Sequence, residues 1–184
     1  MKLTILTIPN ALTFSRLLLI PALLVFAARK EHTLSAFFVA LMGLSDFLDG
    51  LAARALNQAT SFGARLDSLA DYACILGFVG AAMLLIPEFM VKHIVYIAIS
   101  LFQILANNLI KIPLKKSHLL LHLYSQKAAM AFTVLFVIHS FLFWPSPFFF
   151  YATFGICMLS EAEESLILLT GKRADEHTKS FFSL

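Results

Sequence analysis

Charge is scarce in this chain. Asp, Glu, Lys and Arg make up 14% of its 184 residues, against 60% hydrophobic residues and a mean hydropathy of +0.85. Soluble domains carry about a quarter charged residues, so a water-soluble globule is excluded and an integral membrane protein is expected. Cysteine is scarce too. Cys74 and Cys157 both fall in apolar runs and read as small core hydrophobes, which excludes a disulfide framework and a thiolate metal site. The net charge of +3 does not point to nucleic acid, because the basic residues gather near the ends of apolar runs. Internal repeats and low-complexity tracts are absent.

What is present is a series of apolar runs, each near the ~20 residues that a bilayer needs. Residues 1–9 read as a short interfacial piece, broken by Pro9, rather than as a cleavable signal peptide. Asn10 is placed to cap the first helix. Six spans are expected, over about 10–28, 33–54, 62–86, 89–111, 123–143 and 148–169, with a polar tail over 170–184. The expected fold is therefore all-α: one domain over 1–184, an integral membrane bundle of six transmembrane helices. Trp144, in a Pro-rich turn, and the run Phe148 to Tyr151 suit the membrane interface. Six spans put both termini on one side, and of the 14 Lys and Arg only Arg29, Lys30 and Lys92 fall opposite. The positive-inside rule makes the termini's side cytoplasmic.

Residues 46–71, DFLDGLAARALNQATSFGARLDSLAD, organise the rest. Four carboxylates, Asp46, Asp49, Asp67 and Asp71, sit at the edge of two apolar runs, where a charge is costly and by default functional. Asp46 and Asp49 are i, i+3; Gly50 and Ala53 continue the same helical face. Asp67 and Asp71 are i, i+4 on a second helix. A polar turn between the two helices brings the acid pairs together. Four carboxylates in one place repel unless cations bind between them, and their hard oxygens suit Mg²⁺ or Mn²⁺. Two such ions make a phosphoryl-transfer device. Two other readings exist: solvated helix ends paired with Arg54 and Arg65, and a cation relay in a transporter.

The pattern Asp46-x2-Asp49-Gly50-x2-Ala53-Arg54-x8-Gly63-x3-Asp67-x3-Asp71 resembles the signature of the CDP-alcohol phosphotransferase family at every fixed position. The string IPNALTFSR, ending at Arg16, is similar to the start of the bacterial phosphatidylglycerophosphate synthases within it. The resemblance implies transfer of a substituted phosphate from a CDP-linked donor to an alcohol, with release of CMP. It implies metal ligation by Asp46, Asp49, Asp67 and Asp71, two Mg²⁺ or Mn²⁺ ions, and a base role for Asp71. It assigns Gly50 and Arg54 to the CDP part of the donor, Thr60 to the nucleotide's vicinity, and Gly63 to a close backbone approach. It further implies CDP-diacylglycerol as donor, a site facing the cytoplasm of a bacterial-type inner membrane, and a homodimer.

The acceptor is expected to be read by basic residues on the same side: Lys111, Lys115, Lys116 and Lys127, with Arg16. Such a pocket suits glycerol 3-phosphate. Arg16 can alternatively snorkel to lipid headgroups. Ser68 stands where phosphatidylglycerophosphate synthases usually have Pro, which keeps serine, inositol phosphate, phosphatidylglycerol and choline-like alcohols open. Glu161 and Glu164 share a helical face and are expected to pair with Lys172 or Arg173. His118, His122 and His139 lack metal-ligand spacing.

Overall fold

A computed structural model of the chain describes residues 7–56, 60–111 and 124–169. Among the described residues every regular element is a helix: α1 (Ile8–Ala28), α2 (His32–Ala55), α3 (Ser61–Leu85), α4 (Pro87–Lys92), α5 (Ile94–Lys111), α6 (Tyr124–Leu142) and α7 (Pro147–Leu169). Four of them hold stretches long and apolar enough to cross a membrane: Ile8–Ala28, His32–Ala53, Arg65–Leu85 and Ser125–Leu142. The expected fourth span is divided at His93 into α4 and α5. The expected sixth is α7, 23 residues long, which carries Glu161, Glu163 and Glu164.

The first helix starts earlier than its sequence indicates. Thr7, not Asn10, is the cap: its extended backbone (φ −119°, ψ 157°) turns its hydroxyl onto Asn10 N at 3.4 Å. Pro9 lies inside the first turn, where its missing N–H would have been unpaired anyway. Pro9 therefore opens the helix instead of breaking it. Asn10 is thereby released from capping and is buried.

The described residues divide into two compact units. The first contains α1, α2, α3, the start of α4 and, over 137–144, the end of α6 with the two residues after it. In it α1 packs along both α2 and α3, which touch each other little, so α1 is the middle of the three. Leu23, Ala27, Val39, Met42, Ala70, Cys74 and Phe78 fill the buried faces. Small residues let α1 and α3 approach closely, as membrane helices commonly do. A Cβ at Gly77 would lie 3.0 Å from Ile20 Cγ2. The tight α1–α2 turn puts Lys30 at φ 61°, and its Nζ donates to Leu84 O near the end of α3. A left-handed non-glycine costs about 1–2 kcal/mol, and this bond across the unit offsets part of it.

The second unit contains α5, the first part of α6 and α7. Its polar groups answer one another. Asn107 Nδ2 on α5 donates to Glu161 O at 3.0 Å and Glu161 Oε2 at 2.8 Å, and lies 3.5 Å from Glu164 Oε2. Asn107 Oδ1 accepts from Ser165 at 2.7 Å, and Ser165 accepts from Gln103 at 3.1 Å. Ser125 donates to Glu163 at 2.5 Å. The two glutamates thus meet an asparagine on α5, while Lys172 and Arg173 lie outside the described residues. His93 is buried, its ring 4.7 Å from that of Phe150 and 5.7 Å from that of Tyr151.

Candidate active site

The site lies wholly in the first unit, and three helices build it. Helix α2 supplies Asp46 and Asp49 one turn apart, and α3 supplies Asp67 and Asp71 one turn apart. Helix α1, the middle one, supplies Arg16. Its guanidinium joins all four acids. Nη1 donates to Asp46 Oδ1 at 2.6 Å and to Asp71 Oδ1 at 2.8 Å; Nη2 donates to Asp49 Oδ2 at 2.8 Å and to Asp67 Oδ1 at 2.5 Å. Asp46, Asp49 and Asp67 each offer an oxygen within 4.8 Å of the others'. One guanidinium against four ionised carboxylates leaves three formal negative charges. Such a cluster is suited to further hard cations, and three convergent carboxylates are a donor set that fits a divalent ion.

Thr13, one turn before Arg16, is buried, and its Oγ1 lies 3.1 Å from both Pro9 O and Asp49 Oδ2. Asn10, a further turn back, reaches the start of α3. Thr60 caps that helix: its extended backbone (φ −130°, ψ 151°) lets Oγ1 accept from Gly63 N at 3.0 Å. A Cβ on Gly63 would lie 2.6 Å from Asn10 Oδ1 and 3.1 Å from Thr60 Oγ1. The Asn10 side chain of α1 therefore packs closely against Gly63. This junction sets where α3 begins, and so where Asp67 and Asp71 point.

The structure treats the other sequence candidates unevenly. Gly50 directly follows Asp49 and is half-buried. Arg54 lies on α2 and Lys111 closes α5, both with side chains outside the described set. Lys115 and Lys116 lie outside the described residues. Lys127 is exposed on the part of α6 that belongs to the second unit. Arg16, grouped with these lysines in the sequence, instead has its guanidinium on the aspartates. Asn10 and Thr13 were missed as site neighbours. Their signal is the spacing Asn10-x2-Thr13-x2-Arg16, a polar line on one face of an otherwise apolar helix.

A family model for CDP-alcohol phosphatidyltransferase matches residues 6–162. The chain belongs to that family. Its relatives include the CDP-diacylglycerol–glycerol-3-phosphate 3-phosphatidyltransferase of Aquifex aeolicus, 47% identical over 64 residues, which are 35% of this chain and 36% of that protein. The CDP-diacylglycerol–inositol 3-phosphatidyltransferase of Rattus norvegicus is 39% identical over 81 residues, 44% of this chain and 38% of its own. The CMP-forming cardiolipin synthase of Streptomyces coelicolor is 41% identical over 78 residues, 39% of this chain and 36% of its own. The chain thus spans well under half the length of these relatives. No solved structure matches it. Membership of this lipid-synthesis family, with four membrane-length apolar helices, makes the chain a multi-pass membrane protein.

Proposed function

We propose that this chain is an enzyme of phospholipid synthesis that transfers a phosphatidyl group from CDP-diacylglycerol to an alcohol, with glycerol 3-phosphate as the first choice, and releases CMP. The observation that carries this reading is the convergence of Asp46, Asp49, Asp67 and Asp71 on one point, at the family's spacing. The four aspartates hold two Mg²⁺ or Mn²⁺ ions. When bound, these neutralise the charge that develops on the pyrophosphate and the departing CMP. Asp71 takes the proton of the acceptor hydroxyl as its oxygen bonds to the phosphatidyl phosphorus and the bond from that phosphorus to the CMP oxygen breaks. Gly50 leaves room for the nucleotide, Arg54 offers a planar fork to the donor's phosphate oxygens, and Thr60 and Gly63 fix the neighbouring end of α3. Lys111, Lys115 and Lys127 receive the acceptor's phosphate.

The chain acts as one membrane domain of six spans, in a bacterial-type cytoplasmic membrane. Its termini and site face the cytoplasm, where the CDP-linked donor is made, and it works as a homodimer. A second reading keeps the chemistry and changes the acceptor. Relatives named for inositol and cardiolipin match at 39% and 41% identity, beside the 47% of the glycerol-3-phosphate relative.

Purified protein in detergent, given CDP-diacylglycerol and Mg²⁺, is expected to release CMP with glycerol 3-phosphate and not with inositol phosphate, serine or phosphatidylglycerol. Release with another alcohol only replaces the first choice. Silence with every acceptor, in folded protein, overturns CDP-diacylglycerol as the donor and reopens a different CDP-linked donor or a cation relay.

A further inference from the structure

We propose that Arg16 is a built-in competitor of the divalent ions: its guanidinium holds the four aspartates together and must yield their oxygens as metal enters, so that it sets the metal affinity of the site. The inference rests on the metal-ligand reading of those aspartates given above.

Three observations carry it. First, Arg16 spends its two terminal nitrogens entirely on the four aspartates, with two short bonds from each, and each aspartate lends it one oxygen. A guanidinium pairs naturally with one carboxylate in a two-pronged fork. Here the two prongs are spread over four separate side chains from two helices, the arrangement expected of a cation at the focus of a ligand set. Second, Arg16 Nε is buried and finds no acceptor among the described residues. The guanidinium's position is thus dictated by the carboxylates and not by its own full satisfaction. Third, burial is graded across the cluster. The side chains of Arg16 and Asp49 are 1% and 7% exposed, whereas those of Asp46, Asp67 and Asp71 are 34%, 30% and 38% exposed. Arginine forms the closed floor, and three carboxylates form the open mouth. An ion arriving from the open side meets those three carboxylates first and draws them off the guanidinium.

The consequence follows from charge alone. Without Arg16 the four carboxylates repel with nothing between them, so the chain without metal is less stable. Metal then gains both the freed oxygens and the relief of that repulsion. With Arg16 in place the aspartates stay assembled in either state, and ions bind more weakly than the ligand count alone would dictate. Removing a full positive charge a few ångströms from the ligands is worth roughly tenfold or more in divalent-ion affinity.

The test measures Mn²⁺ binding and thermal unfolding, in EDTA and in Mn²⁺, for wild type and Arg16→Met in detergent. Arg16→Met is expected to unfold at a lower temperature than wild type in EDTA, to be stabilised more by Mn²⁺, and to bind Mn²⁺ about tenfold tighter or more. Arg16→Lys, with a compact ammonium in place of the fork, is expected to fall between. A folded Arg16→Met that binds Mn²⁺ as wild type does, or more weakly, overturns the inference and leaves the metal site standing. Wild type and variant that both fail to bind Mn²⁺ overturn the metal reading, and the inference with it. Should Arg16→Met not fold, the wild-type guanidinium is followed directly by ¹⁵N-arginine NMR during Mg²⁺ titration. The Arg16 Nη signals are expected to shift with the midpoint of metal stabilisation, and signals that stay fixed overturn the proposal.

Discussion

Asp46 on α2 and Asp71 on α3 meet on a single nitrogen, Nη1 of Arg16, at 2.6 and 2.8 Å. Two helices with little direct contact are therefore tied at their acidic ends through a third. The tie fits the packing: among the described helices, α1 alone packs along both acid-bearing helices. It also makes the site's geometry depend on residues of α1 outside the acidic motif.

Metal removal is the simplest test of the acid cluster. Three carboxylates with oxygens within 4.8 Å of one another suit a divalent ion far better than a monovalent one. Chelation with EDTA is expected to abolish CMP release, and added Mg²⁺ or Mn²⁺ to restore it, while K⁺ at equal ionic strength does not. CMP release that survives chelation would remove the metal from the reaction.

Asp71→Asn tests the proton-accepting role when assayed at saturating Mg²⁺, because Asp71 is also assigned to the metal. The asparagine carbonyl can still accept from Arg16 Nη1, so the helices stay tied. A positioned base contributes roughly 10²–10⁴-fold to turnover. The variant is expected to lose at least ~100-fold in kcat while its KM for CDP-diacylglycerol changes little. Near-normal kcat would give the base role to another group.

Much of this site was legible in the sequence, because carboxylates at i, i+3 and i, i+4 in apolar surroundings leave few alternatives. Helical periodicity places Asp46 with Asp49, and Asp67 with Asp71, without reference to tertiary structure. Arg16 was legible only as a cation within a span. Its partners lie on other helices, and periodicity within one helix says nothing about what its face meets. Asn10 was misread for a related reason. An asparagine after a proline looks like a cap, but Thr7 was available one turn earlier, and Pro9 fits inside a first turn. The division at His93 falls inside an expected span, although Lys92 and His93 interrupt the apolar run at that point.

Gly63→Ala probes the junction that aims α3. The new methyl carbon would sit 2.6 Å from Oδ1 of the buried Asn10 side chain, so one of the two has to shift. Overpacking of this kind costs about 1–3 kcal/mol. The variant is expected to unfold at a lower temperature and to lose activity. Combining it with Asn10→Ala removes the clashing atom and is expected to recover much of the lost stability, a coupling read by a double-mutant cycle. Independent, additive losses would show that the two residues do not meet.

The second unit offers a prediction separate from the chemistry. Asn107 Nδ2 lies 2.8 Å from Glu161 Oε2, and Asn107 Oδ1 accepts from Ser165 at 2.7 Å, so one amide joins α5 to α7 through both its ends. Asn107→Leu keeps roughly the side chain's size but removes donor and acceptor together, leaving the half-buried Glu161 and Ser165 of α7 without that partner. Losing a partner for a buried polar group costs about 1–3 kcal/mol, and more where a charge is involved. Asn107→Asp is the sharper variant. It retains an acceptor for Ser165 but turns a second carboxylate onto Glu161, so repulsion is added to the lost donor bond. If the amide serves to satisfy the glutamate, thermal unfolding in detergent is expected to rank wild type above Asn107→Leu, and Asn107→Leu above Asn107→Asp at neutral pH. Lowering the pH is expected to narrow the gap between the two variants, since protonating either carboxylate restores a donor. Asn107→Asp as stable as wild type at neutral pH would show that the α5–α7 contact rests on its apolar packing and not on this amide.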